Sequence, residues 1–345
     1  MSLTARPAGV RSLDRPLTGH APRRAALFAT AVTGAVVVSL LVGSRALAPT
    51  EVLGALFDPA SPVHGVVDAR LARTMLGLVV GGPLGLAGAL MQGLTRNPLA
   101  DPGILGVNAG ASFAMVVAIA VVGVSDLDAY VWFAFAGAAV AMVLVHGVAA
   151  LGREGATPMK LAITGAAVTA AVSSWTSGML LTDRRTMEVF RFWQVGTVGG
   201  RGYDVLLAGL PFLAAGAVLG LGSARVLDAL ALGDDLARGL GRQVWRDRLL
   251  VGVAIVLLAG TATALAGPIA FVGLMVPHAV RAVAGPDHAG LLPLSLVGGA
   301  VLTVAADVVG RVVLPPAEVQ VGIMTAVLGA PVFLWLVRRG RAGAL

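Results

Sequence analysis

SARVLDALALGDDLARGLGRQVWRDR, residues 223–248, gathers Arg225, Asp228, Asp234, Asp235, Arg238, Arg242, Arg246, Asp247 and Arg248 in a chain that otherwise avoids charge. Apolar runs flank it at 203–222 and 249–266, each near the roughly 20 residues a helix needs to cross hydrocarbon. A polar loop held between two such runs is read as the connection between spanning helices, and it is where the chain meets something soluble.

Working outward, the same alternation recurs along all 345 residues. The chain is 57% hydrophobic and 12% charged, with mean hydropathy +0.88, against about 25% charged for a soluble domain. Ten apolar segments can be drawn, near 25–43, 71–93, 104–123, 130–151, 160–181, 203–222, 249–266, 269–284, 291–310 and 321–337. The expected fold class is an all-α polytopic membrane protein of about ten transmembrane helices. The 46 glycines suit helices that pack closely in lipid. The absence of cysteine excludes disulfides and zinc–thiolate sites, and Lys160 is the one lysine among 25 basic residues. That basic excess is accounted for by topology and gives no separate reason to invoke nucleic acid.

Residues 1–24 form a polar tail with Arg6, Arg11, Arg15, Arg23 and Arg24. The run that follows, Ala25–Gly43, is longer than a signal-peptide core and lacks a small-residue cleavage site, so it is read as a retained first helix. With the N-terminal tail in the cytosol, ten spans return the 338–345 tail to the same side. This topology places 17 of the 25 basic residues inside, as the positive-inside rule requires. The same count puts 223–248 in the cytosol, within a transmembrane domain covering 25–337.

Three arginines run against that rule. Arg70 and Arg73 open the second span from outside, and Arg311 closes the ninth there. One reading is internal pairing, with Asp68 near Arg70 and Asp307 one helical turn before Arg311. The other is an external site for an anionic partner.

The second span carries Gly77, Gly81 and Gly85 at four-residue spacing, which lets another helix approach closely. It ends in MQGLTRNPLADPGILG, residues 91–106. Asn97 and Asp101 precede Pro98 and Pro102, which pushes the chain out of helical geometry. That break reads either as a gate-proximal turn lining a cavity or as a plain interhelical loop. In the fifth span Thr169, Ser173, Thr176 and Ser177 fall within about 100° of helical arc. They line a pathway, or they satisfy themselves on the preceding turn. The outer connection 182–202, with Trp193 and several charges, has room for a short interfacial helix. In GPIAFVGLMVPHAVR, residues 267–281, Pro268 and Pro277 are expected to break the eighth span, with His278 and Arg281 at its cytosolic end.

No catalytic constellation is present. The phosphate-binding GxxxxGK[ST] loop fails because Lys160 is followed by Leu161, and neither GxSxG nor HExxH occurs. No metal site has ligand spacing. For an ion-coupled secondary carrier, the main rival, Asp307 is the one candidate acid in a span. The polar loop reads as two short amphipathic pieces broken at Gly233 and at 239–241. Leu232, Leu236, Ala237 and Leu240 give one piece an apolar side rimmed by Asp234, Asp235 and Arg238, suited to a groove in another protein or to the bilayer surface.

Four stretches in order resemble one known family: RLARTMLGLVVGGPLGLAGALMQGLTRNPLADPGILGVNAGAS at 70–112, LGDDLARGLG at 232–241, GPIAFVGLMVPHAVRAVAGPDH at 267–288 and AEVQVGIMTAVLGAPVFLWL at 317–336. The chain is similar here to FecCD-type permeases, the membrane subunits of type II ABC importers for iron–siderophores, haem and vitamin B12. The resemblance implies a bacterial cytoplasmic-membrane permease that pairs with a second permease subunit, identical or related. Two cytosolic ATPase subunits and an extracytoplasmic substrate-binding protein complete the assembly. No cofactor is bound by this chain, and ATP is used by the partners. Leu232, Gly233, Asp234, Asp235, Ala237, Arg238, Leu240 and Gly241 match the segment that seats in the ATPase. Arg70, Arg73 and Arg311 match arginines that pair with acids of the binding protein. Ala72 departs from the family's usual proline at that position.

Overall fold

A computed structural model describes residues 21–124, 127–151 and 157–338. The C-terminal tail after Arg338, the first 20 residues and Arg153 lie outside them. Among the described residues every regular element is helical. In chain order the helices are α1 Ala21–Leu41, α2 Pro49–Phe57, α3 His64–Thr95, α4 Val107–Val117, α5 Leu127–Ala149, α6 Pro158–Thr182 and α7 Arg184–Gln194. There follow α8 Tyr203–Gly222, α9 Ala224–Ala231, α10 Asp234–Gly239, α11 Val244–Ala266, α12 Val272–Ala284, α13 His288–Val313 and α14 Val321–Arg338. Each of the ten expected apolar segments lies on a helix of its own. By length and composition α3, α5, α8, α11 and α13 can cross a membrane, and α1, α4, α12 and α14 contain shorter apolar helices. In α6, 25 residues long, the hydroxyl side chains dilute an otherwise apolar sequence.

The core is organised around α3, which packs most extensively against α13 and also against α11 and α12. Side-chain-free surfaces make this approach possible. A Cβ on Gly85 would sit 2.2 Å from the Ser295 carbonyl oxygen, and one on Gly81 would sit 2.5 Å from that of Gly299. The glycine ladder expected to admit a neighbouring backbone does so, and its neighbour is α13. Gly88 continues it toward α12, where a Cβ would lie 1.9 Å from the Gly273 carbonyl oxygen. Gly110 of α4 and Gly137 of α5 face each other in the same way.

The eighth segment departs from expectation. Pro268 lies in the irregular stretch before α12, whose N-cap Phe271 takes φ 69°, but Pro277 is accommodated inside the helix. A proline at this position removes the donor for the carbonyl four residues back, which is that of Gly273. Gln92, buried on α3, brings Nε2 to 3.4 Å from the Gly273 oxygen and 3.3 Å from that of Leu274. Its Oε1 accepts from Arg281 Nη2 at 3.1 Å. Gln92 thus replaces the lost helical bond and ties α12 to α3.

The short helices cap the two ends of the bundle. At one end α2 closes a small separate core of Leu40, Leu47, Val52, Ala55, Val63 and Val67. There too α7 fills the 182–202 connection as a surface helix, with Phe190 and Trp193 inward. Asp183 caps it, accepting from the Arg185 and Thr186 backbone N–H groups. At the other end lie α9 and α10.

Candidate functional site

The two ends of α3 carry the two clusters of charge that matter, about 35 Å apart along its axis at 1.5 Å per residue. Near its start are Arg70 and Arg73, and at its C-cap is Arg96, in the left-handed region at φ 50°.

At the Arg96 end, α10 is six residues long and held between two glycines at positive φ, Gly233 at 105° and Gly241 at 79°. Gly241 N–H bonds to the Arg238 carbonyl and Arg242 N–H to that of Ala237. This is the left-handed helix ending that glycine permits without steric penalty. The exposed leucine ridge is made of Leu236 on α10 and Leu240 at its C-cap, 62% and 64% exposed, together with Leu232, 57% exposed, at the C-cap of α9 across the Gly233 break. Ala237 does not join them. One residue on from Leu236 it is turned about 100° around the helix, and it is fully buried in the main core. It supports the ridge from behind.

The ridge is anchored by acids. Asp234 Oδ1 accepts from Arg248 Nη2 on α11 at 2.9 Å and also pairs with Arg96 at the end of α3. Asp228 on α9 receives His288 Nδ1 at 2.6 Å, at the start of α13. Arg242 grips Asp247 with two bonds of 2.9 Å. Arg238 and Asp235 pair with each other at 2.9 Å at the surface. The short helices are therefore fastened to α3, α11 and α13, the helices of the core, while the apolar ridge stays free.

At the opposite end the three topology-breaking arginines meet. Arg73 holds Asp307 through Nε at 2.9 Å and Nη2 at 2.8 Å, and Glu318 through Nη1 at 2.6 Å. Arg311 donates to the Ser39 carbonyl at 2.9 Å and to its hydroxyl at 2.6 Å, and its Nε lies 3.2 Å from Asp307 Oδ2. Arg70 is buried and donates to the carbonyls of Leu40, Leu41 and Arg45 at the end of α1. The internal pairing of Asp307 with Arg311 is present. Asp68 accepts instead from Tyr203 Oη at 3.0 Å, because Arg70 points into the bundle rather than along its surface. A hollow of about 350 Å³ opens among Arg70, Arg73, Arg311 and Glu318, with Arg73 and Glu318 the more exposed of its charges.

The break after α3 is an ordered turn. Asn97 Oδ1 accepts from Leu99 N–H at 3.0 Å, and Asp101 Oδ1 caps a 3₁₀ turn at Pro102–Leu105 through Gly103 N–H at 2.8 Å. Burial pushes the Asp101 carboxyl above its usual range, opposed by that Gly103 bond. Pro98 lies in the turn itself, and Pro102 sits against Gly273 at the start of α12. On α6 the four hydroxyls do not form one uniform face. Thr176 is buried and bonds back to the Val172 carbonyl at 2.8 Å, Thr169 is half-buried near Gly106, and Ser173 and Ser177 are exposed. Gln92 was missed by sequence reasoning. A buried glutamine on a helix otherwise lined with glycine and leucine was its only signal.

The profile of the FecCD transport family matches residues 30–339. The ferric enterobactin transport system permease protein of Escherichia coli (strain K12) is 45% identical over 312 residues, spanning 90% of this chain and 93% of that one. The cobalamin import system permease protein of Halobacterium salinarum is 41% identical over 295 residues, spanning 84% and 76%. Among solved structures, a transporter described as of the metal-chelate ABC type, in an inward-facing conformation, superimposes with a TM-score of 0.82 at 27% identity. That match covers 92% of this chain and 99% of the other.

Proposed function

This chain belongs to the FecCD transport family, and from that premise we propose that it is the membrane-spanning permease subunit of an ABC importer for ferric siderophores. Partner ATPases bind at the α10 end, which faces the cytosol, as the concentration of arginine there supports. A substrate-binding protein docks at the opposite end, and a second permease subunit completes the pathway. Substrate crosses by alternating access, with no covalent chemistry in this chain.

The observation that carries this reading is the exposed leucine ridge at the α9–α10 loop. Leu232, Leu236 and Leu240 are exposed while the helix beneath them is pinned to the ends of α3 and α11 through Asp234. An apolar ridge of this kind fits a groove in another protein, and a rigidly fastened one passes displacement into the core instead of flexing. Gly233 and Gly241 set its orientation, and Asp235 and Arg238 form its polar rim. At the other end, acidic side chains of the binding protein would compete with Glu318 for Arg73, over a floor that Arg70 and Arg311 hold in place. In this reading the turn at Asn97, Pro98, Asp101 and Pro102 would act as a gate element, and Thr169, Ser173, Thr176 and Ser177 would contribute to the pathway wall.

A secondary carrier driven by protons is less well supported, since Asp307 is already engaged by Arg73 and Arg311. Cobalamin is the second substrate reading, favoured by the halophile relative. The test is uptake of labelled ferric siderophore into vesicles holding the full complex, with cobalamin as competitor. ATP-dependent siderophore uptake unaffected by cobalamin is expected. Uptake that persists without any ATPase subunit would overturn the importer reading, and inhibition by cobalamin would change the substrate.

A further inference from the structure

Between the C-terminal half of α5 and the start of α11 lies a cavity of about 660 Å³ that the importer reading touches only at Arg238. Its walls are apolar, formed by Val143, Gly147 and Ala150 from α5 and by Val244, Trp245 and Leu249 from α11. Three arginines line its foot, Arg238, Arg242 and Arg248, with His146 and Gln243. The cavity forms part of the furrow between α5 and α11, which pack against each other. Val143 and Leu249 in its walls, and Val140 and Val253 about one turn further along the same helices, are substantially exposed.

We infer that this cavity binds an anionic phospholipid, with an acyl chain in the α5–α11 furrow and the headgroup phosphate against Arg242. The inference goes beyond the proposed function, and it rests on that reading only for the cytosolic placement of this end. A furrow with apolar walls along two spanning helices is filled by hydrocarbon, because leaving it empty forfeits dispersion contacts. Its polar end falls where α5 stops and α11 begins, the depth at which headgroups lie.

Charge distinguishes the lipid. Arg242 gives Nε and Nη2 to Asp247, and Arg238 gives Nη1 to Asp235. A guanidinium has five N–H donors, so both retain donors for a phosphate oxygen. Arg246 adds positive charge nearby, its guanidinium carbon 5.3 Å from the centre of the Trp245 ring. Trp245 is itself exposed beside an apolar furrow, the placement an indole adopts at a membrane interface. Basic pockets between helices on the cytosolic side are matched to anionic headgroups, while a zwitterionic headgroup gains little there. Leu232, Leu236 and Leu240 of the proposed ATPase ridge do not line this cavity; Arg238 at its edge belongs to the proposed ATPase rim, and the phosphate is therefore assigned to Arg242.

The experiment is native mass spectrometry of the full chain, delipidated in detergent and titrated with dioctanoyl phosphatidylglycerol, dioctanoyl phosphatidylcholine and inorganic phosphate. Phosphatidylglycerol is expected to bind about tenfold more tightly than phosphatidylcholine of the same chain length. Arg242→Gln is expected to remove that preference. Gly147→Leu, at a position where a Cβ meets open space, fills the furrow without touching a charge and is expected to weaken both lipids. If Arg242→Gln fails to fold, Gly147→Leu still decides. Equal binding of the two lipids, phosphatidylglycerol binding unchanged in Gly147→Leu, or inorganic phosphate binding as tightly as the lipid would each overturn the proposal. So would cross-linking of a Gly147→Cys variant to a second copy of the chain, which would assign the cavity to a subunit interface.

Discussion

Asp307 is the side chain on which one end of the bundle depends. It is almost wholly buried, takes two hydrogen-bonding nitrogens of Arg73, and lies one helical turn from Arg311. Removing a buried acid from between two arginines leaves their charge under-compensated, even though Glu318 and Ser39 still contact them, and costs up to roughly 3–5 kcal/mol. Asp307→Ala is therefore expected to lower the melting temperature of the detergent-solubilised protein sharply, and an unchanged melting temperature would contradict the assignment. Arg70 and Arg311 are expected to behave similarly when reversed to Glu, because both donate to the backbone at the end of α1. Arg73→Lys tests the docking role more cleanly. It keeps a positive charge beside Asp307 but loses the bidentate fork, so weaker capture of the binding protein is expected with assembly retained.

Two short helices carry the next scale. The first turn of α7 is held by Asp183, whose carboxyl sits below its usual range, chiefly because the Thr186 hydroxyl donates to it. A depressed carboxyl contributes fully above its unfolded value, near pH 4, and its contribution is lost as pH falls through the lower folded value. Amide exchange in the first turn of α7 should accelerate over that acidic window, and Asp183→Asn should abolish the pH dependence. For α10, Leu236→Asp places a charge on the exposed ridge while leaving Ala237 packed. Loss of ATPase co-purification with an unchanged melting temperature is expected. Asp234→Ala instead removes the acid shared by Arg96 and Arg248 and should cost roughly 1.5–3 kcal/mol. The two variants separate binding of a partner from fastening of the helix.

At the scale of the molecule, the bundle is a set of backbone-to-backbone approaches centred on α3. Gly88→Ala would place a methyl group 1.9 Å from the Gly273 carbonyl oxygen, with backbone on the far side that has no side chain to yield. Separation of α12 from α3 and loss of monodisperse protein in size-exclusion chromatography are expected. Gly34→Ala is the control, since a Cβ there meets nothing within 4 Å and alanine is the better helix former.

Ten helices, their order, and the polar loop among them were determined by sequence, because hydrocarbon demands long apolar runs with internally satisfied backbone wherever the chain crosses. The Gly77, Gly81 and Gly85 ladder was legible for the same local reason, but the apolar side read for Leu232, Leu236, Ala237 and Leu240 was only partly so, since Ala237 is buried and Leu232 belongs to the end of α9. Partners far apart in the chain were not legible. That Gln92 supplies the bond Pro277 removes, that Asp234 joins Arg96 to Arg248, and that Arg70 turns inward to the end of α1 each depend on residues brought together across helices. Periodicity states which face of a helix is apolar, but it carries no information on which helix that face meets. Only the tertiary structure decided those pairings, because buried charges and carbonyls take the partner that packing delivers.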